Sequence, residues 1–124
     1  ARVFVSSEKI RLLNSLVHPV TLADASEWMK KQKTPYALKE AALIFESGSW
    51  SGLDYVIGVK SPEELRIKRA MVRDGISSAG VRSRMNLQMD EDEKMSRCDF
   101  IIVNDEQEMI IPQVLALHDR FLRA

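Results

Sequence analysis

One cysteine, two histidines, five glycines and four prolines in 124 residues exclude several architectures at once. Cys98 alone cannot form a disulfide within the chain, and a lone thiol suits a reducing compartment, so the expected location is the cytoplasm. His18, Cys98 and His118 are too dispersed to supply a structural zinc site. The five glycines form neither G-x-x-x-x-G-K-S/T nor G-x-G-x-x-G, so the chain as written cannot cradle a triphosphate between a glycine loop and a helix N-terminus. G-x-S-x-G and H-E-x-x-H are missing too. Neither charge sign is in surplus: 18 basic residues balance 18 acidic ones. That balance argues against a nucleic-acid partner or a polybasic membrane binder. No apolar run approaches the roughly 18 residues that span a bilayer as a helix. There is no fixed-period repeat and no low-complexity segment. The chain opens at Ala1 rather than at Met and carries no signal peptide, as expected of a fragment or a trimmed product.

What is there reads as one soluble domain, with 45% apolar and 29% charged residues. Ser6 or Ser7 can cap a helix running to Val17, with Ile10, Leu13, Leu16 and Val17 on one face. His18-Pro19 is expected to end it, and Pro19 to open a second helix reaching about Gln32. Tyr36 to Ala41 reads as a short extended run, and Gly48 and Gly52 mark a loop. Asp54 to Lys60 has the near-continuous apolar character of a strand buried on both faces. Ser61-Pro62-Glu63-Glu64 predicts a cap, a proline at the first helical position and acids in the first turn, and Gly75 a stop. A polar helical stretch follows from Ser77 to Met89, then a short helix capped by Asp90, a buried strand from Asp99 to Val103, and an amphipathic helix from about Glu106 to Arg123 that Pro112 starts or kinks. Strands alternating with helices predict an α/β fold with a parallel sheet and helices on both faces, short of strands because only three are visible.

The most unusual stretch is the basic, polar region from Arg66 to Arg97. Arg69 and Arg73 are four apart and share a helical face, and Arg82 and Arg84 follow Gly75. Such arginines can clamp phosphate oxygens in a bidentate fashion, or lie on a solvated face paired with Glu63, Glu64 and Asp74. His18 before a proline is a helix-end hydrogen-bonding residue or a catalytic one. Glu46 follows the apolar run AALIF and, as a carboxylate just past a buried strand, is either a crevice carboxylate or a solvated loop acid. Asn104 and Asp105 follow the second strand, where they read a base edge or cap the next helix. Trp28, Trp50, Met85 and Met89 read as packing residues and Cys98 as an inert, buried thiol.

Taken together, Val17-His18-Pro19, PYALKEAALIFESG (35–48), SPEELRIKRAMVRDG (61–75), DEDEKMSRCDFIIVN (90–104) and the terminal VLALHDRF strongly resemble dephospho-coenzyme A kinase. The resemblance covers essentially the whole chain in the family's order. It implies a partial P-loop kinase fold: a three-layer parallel sheet with helices on both faces, a helical substrate region and a lid. Within a single domain, 1–124, it implies a helical substrate-binding part at 6–33, a core at 34–72 and 98–124, and a lid at 73–97.

The activity implied is transfer of the γ-phosphoryl group of ATP to the ribose 3′-hydroxyl of dephospho-CoA, the last step of coenzyme A synthesis. The partners implied are those two small molecules, with neither nucleic acid nor membrane. His18 and Glu46 match substrate-side residues, Arg69 the arginine packed on the adenine, and Asn104 the asparagine beside it. Arg73, Arg82 and Arg84 match lid arginines that approach the phosphates. The family's first strand, its P-loop, its acidic base and its Mg²⁺ ligands would lie upstream of Ala1, so the chain alone is expected to be inactive. The run Val103-Asn104-Asp105-Glu106 departs from the family, which usually has a small residue or Gly after Asp-Asn. A non-catalytic CoA- or nucleotide-binding module and an interaction domain are the alternative readings. The complete protein is expected to be a monomer, while exposed strand edges would allow the fragment to dimerise.

Overall fold

Residues 6–123 are described in a computed structural model, which divides the chain into two compact units at 1–42 and 43–124. The first unit is built on one helix, α1 (Ser7–Lys30). Ser6 is its cap, its hydroxyl accepting the Lys9 N–H at 3.4 Å. The expected break at His18-Pro19 does not occur, and Pro19 lies inside the helix. Proline removes one backbone donor, a local cost of about 3 kcal/mol that does not by itself stop a long helix. Nearby, the Thr21 hydroxyl donates to the carbonyls of Val17 at 3.1 Å and His18 at 3.0 Å. The run from Tyr36 to Ala41 forms no strand.

The second unit opens with successive turns over residues 43–52, with Gly48 and Gly52 at φ 71° and 83°. It then forms β1 (Ile57–Lys60), α2 (Glu63–Asp74), α3 (Ser78–Met85), α4 (Glu91–Ser96), β2 (Phe100–Val103) and α5 (Ile110–Leu122). The two strands are parallel, with Ile57 opposite Phe100 and Lys60 opposite Val103. Asp99 joins their entrances: its carboxylate accepts the Val56 N–H at 2.8 Å, and its own N–H donates to the Val56 carbonyl at 2.9 Å. A parallel connection carrying helices between its strands is the βαβ pattern expected of an α/β chain.

Local chemistry sets the helix ends. Gly75 ends α2 in the left-handed conformation at φ 65°, its N–H donating to the Met71 carbonyl. Asp90 caps α4 by accepting the N–H groups of Asp92 and Glu93. Pro62 rather than Ser61 occupies the position before α2, and no side chain caps that helix. Ser61 is buried, and its hydroxyl faces Arg69 instead. Pro112 falls in the first turn of α5, where its missing N–H costs nothing.

Val56, Ile67, Val81 and Met95 are the buried apolar residues among those described. Gly58 is buried against the α4 end: a methyl group there would lie 2.7 Å from Met95 Sδ and 2.9 Å from Cys98 Sγ. Tyr55, Phe100 and Phe121 form a three-ring cluster, each pair of centroids 5.5 Å apart, which seats α5 on β2. The strands are not buried on both faces, as their apolar runs predicted. Val59 is 58% and Ile101 45% exposed. The register places these two on opposite faces, and a sheet of two described strands leaves part of each face open.

Candidate functional site

The site is assembled where β2 ends and α2 passes beside it. Ser61, just before α2, lies where β1 ends, and Arg69 is two turns into α2. The Arg69 guanidinium is a planar fork of five donors, and four acceptors converge on it. One terminal nitrogen donates to the Asn104 carbonyl at 3.3 Å and more distantly to Ser61 Oγ at 3.5 Å. The other donates to Asn104 Oδ1 at 3.1 Å and to Glu106 Oε1 at 3.2 Å. Arg69, Arg73 and Glu106, with Leu65, Lys68 and Val72, line a cleft of about 280 Å³. It combines an apolar wall with cationic edges and one carboxylate, a surface suited to a flat ring bearing anionic groups.

The loop after β2 is tightly held. Asp105 accepts the N–H groups of Gln107 and Glu108, both at 2.9 Å, and these two bonds hold its carboxyl below its ordinary value. Glu106 adopts φ 69°, uncommon for a residue with a side chain, and so turns its carboxylate toward Arg69. Asn104 therefore faces Arg69, and the capping of the following segment falls to Asp105.

Arg73, Arg82 and Arg84 are held by carboxylates of α2. Asp74 binds Arg73 Nε at 2.7 Å and Arg84 at 2.8 Å, so one acid serves two arginines. Its carboxyl is lowered chiefly by the Arg73 hydrogen bond, and Arg73 is raised by the same bond. Arg82 bridges Glu63 and Glu64, and both acids raise its pKa, Glu64 most. All these groups are at the surface, where ion pairs are weak and exchangeable.

Glu46 follows no strand, contrary to its expected place at a strand end, and lies within the turns over residues 43–52. It is nevertheless well ordered by contacts from 43 and 48 residues away. The Met89 N–H donates to Oε1 at 3.0 Å, and Lys94 Nζ approaches the same oxygen at 3.0 Å. Burial opposes its ionisation, but the N–H groups of Met89 and Glu46 itself and the Lys94 ammonium outweigh that, so the carboxyl lies below its ordinary value. Lys94 is the one basic residue in α4, EDEKMS. His18 belongs to the first unit, half-buried on α1. The structure thus brings Arg69 to Asn104, and Arg73 to Arg84 through Asp74, while Arg82 and Glu46 each have separate partners.

Cys98 is half-buried, its thiol raised by burial and by the neighbouring Asp99 carboxylate, and its Sγ donates to the Lys94 carbonyl at 3.3 Å. Among the described residues no group of three or more His, Cys, Asp or Glu side chains could hold a metal ion, so they assemble no all-protein metal cage. No described helix is long and apolar enough to cross a membrane.

The family model for dephospho-CoA kinase, CoaE, matches residues 1–109. The chain is 34% identical to a dephospho-CoA kinase of Bacteroides fragilis (strain YCH46) over 116 residues, 93% of this chain and 57% of that protein. It is 31% identical to the dephospho-CoA kinase of Porphyromonas gingivalis (strain ATCC BAA-308 / W83), covering 94% of this chain and 58% of that one. The crystal structure of TT1252 from Thermus thermophilus superposes with a TM-score of 0.76 at 31% identity, over 93% of this chain and 62% of that chain. The chain spans a little over half the length of the curated relatives it matches.

Proposed function

Because the chain belongs to the dephospho-CoA kinase family, we propose that the complete protein carrying it transfers the γ-phosphoryl group of ATP to the ribose 3′-hydroxyl of dephospho-CoA. The bond from the γ-phosphorus to the β–γ bridging oxygen breaks, and a bond to the 3′-oxygen forms. ADP leaves, and the hydroxyl proton passes to a base that the family resemblance puts upstream of Ala1. The observation that carries this reading is the Arg69–Asn104 pair beside the cleft at the end of β2. Ligand crevices in parallel α/β sheets open at the carboxyl ends of the strands, where this pair sits.

In this reading Arg69 and Asn104 hold the adenine end of ATP, and Leu65 and Val72 give its ring an apolar wall. Arg73, Arg82 and Arg84 exchange their surface carboxylates for phosphate oxygens and offset charge spreading over the transferred group. Their exposed ion pairs present only a small barrier to that exchange. Glu46, held ionised by Met89 and Lys94, serves the acceptor side from the second unit, and His18 is a separate substrate-binding residue of the first. Mg²⁺, when bound, neutralises phosphate charge, and its ligands are expected outside the described residues. The proposed location is the cytoplasm.

The 124 residues alone carry no phosphate-cradling glycine motif and, among the described residues, no metal-holding cluster. That observation favours a second reading for the isolated chain: nucleotide or CoA binding without turnover. A coupled ADP-release assay with dephospho-CoA separates the two. The full-length protein is expected to turn over and the 124-residue chain to be silent. Equal silence of both would overturn the kinase reading.

A further inference from the structure

Gln113 takes no part in the cleft, yet its carboxamide makes two hydrogen bonds to one residue ten positions earlier. The Val103 N–H donates to Gln113 Oε1 at 2.8 Å, and Gln113 Nε2 donates to the Val103 carbonyl at 3.0 Å. Nε2 also donates to the Met109 carbonyl at 3.1 Å, which ties the amide to the start of α5. A carboxamide carries a donor and an acceptor side by side, as a peptide unit does, so it acts as a one-residue neighbouring strand. It occupies the edge of β2 away from β1. On the β1 side, the next N–H, that of Asn104, reaches the Lys60 carbonyl at 2.8 Å.

Val103 is the last residue of β2, and the segment directly after it meets Arg69. Besides Arg69 itself, residues 104–106 are held from three directions: by Lys60 at Asn104, by the Asp105 carboxylate after it, and by Gln113 before it. Of the three, only Gln113 comes from another element by a side chain. Glu106 at φ 69° needs such support, because a left-handed backbone is unfavourable for a residue with a Cβ.

We propose that Gln113 is a positioning residue for nucleotide binding. By holding both backbone groups of Val103 it sets where Asn104 and Glu106 stand against Arg69. The inference rests on the reading of the Arg69 cleft as the nucleotide site.

Gln113→Met keeps the side chain's length and removes both bonds to Val103. In the full-length protein it is expected to raise the KM for ATP about tenfold, the equivalent of two ordinary hydrogen bonds. kcat and the KM for dephospho-CoA are expected to stay within about twofold, since neither depends on Asn104 in this account. Leu117→Ala, a half-buried position on the same helix, is the control for lost stability. It is expected to lower Tm without moving the KM for ATP. An unchanged KM for ATP in Gln113→Met, or an equal rise in Leu117→Ala, overturns the proposal. If the full-length protein forms no phosphorylated product, the kinase reading fails separately, and calorimetric titration with ATP takes over as readout. A weaker Kd in Gln113→Met then still supports positioning, whereas an unchanged Kd or no ATP binding overturns it.

Discussion

Arg69 grips Asn104 at two points, the backbone carbonyl at 3.3 Å and the side-chain oxygen at 3.1 Å, across 35 residues of sequence. Two contacts from one planar group fix orientation as well as distance. A lysine has donors enough for both, but its point-like ammonium lacks the planar fork that fixes their orientation.

Arg69→Lys is accordingly expected to weaken ATP binding to the full-length protein by about tenfold and Arg69→Ala by more, since each bond to a charged donor is worth about 1.5–3 kcal/mol. Binding of dephospho-CoA should be unchanged in both. Isothermal titration with each ligand checks this.

The fate of the arginines shows what the sequence could and could not tell. The i,i+4 spacing of Arg69 and Arg73 already put both on one face of α2, and both line the cleft. Glu63, Glu64 and Asp74 were legible as partners for basic residues from charge alone. Which arginine met which acid was not, because it depends on the turn at Gly75 that brings α3 back along α2. The family strings led to Arg69 and Asn104. Gln113 and Lys94 went unread, because no local pattern marks an amide as a strand substitute or a lysine as the partner of a glutamate 48 residues away. The break expected at Pro19 is absent for a different reason: the local preference of proline is overridden by 24 residues of helix.

Arg82→Ala and Arg84→Ala should leave the urea midpoint of the protein unchanged, since their ion pairs lie at the surface. In the full-length protein each should still lower kcat about tenfold or more, as expected for a lost phosphate-neutralising group. Urea unfolding and steady-state kinetics on the same samples check the separation.

Glu46→Gln removes the charge that Lys94 and the Met89 N–H both favour. A loss of about 1–3 kcal/mol at neutral pH is expected. The folded carboxyl lies below its ordinary value of 4.5, so its contribution is present above that pH and is lost as pH falls through the depressed folded value. Stability curves of the two proteins, measured by urea unfolding across pH, should therefore differ at pH 7 and converge in acid.

Gly58→Ala would place a methyl group 2.7 Å from Met95 Sδ and 2.9 Å from Cys98 Sγ. Overpacking of this kind costs roughly 1–3 kcal/mol. A lower Tm is expected, and the loss in the Gly58→Ala, Met95→Ala double variant should fall short of the sum of the two single losses, since the shorter side chain makes room. Differential scanning calorimetry of the single and double variants reads both effects.

The most direct test of the account tracks the phosphorus atom itself. Phosphorus NMR of full-length protein, ATP and dephospho-CoA should show the γ-phosphoryl signal replaced by that of a ribose 3′-phosphomonoester, with ADP formed in equal amount. In the Arg69→Ala variant that conversion should slow sharply at limiting ATP. Phosphate released to water, or no conversion by the full-length protein, would contradict the assignment of this chain's cleft to a phosphoryl-transfer enzyme acting on dephospho-CoA.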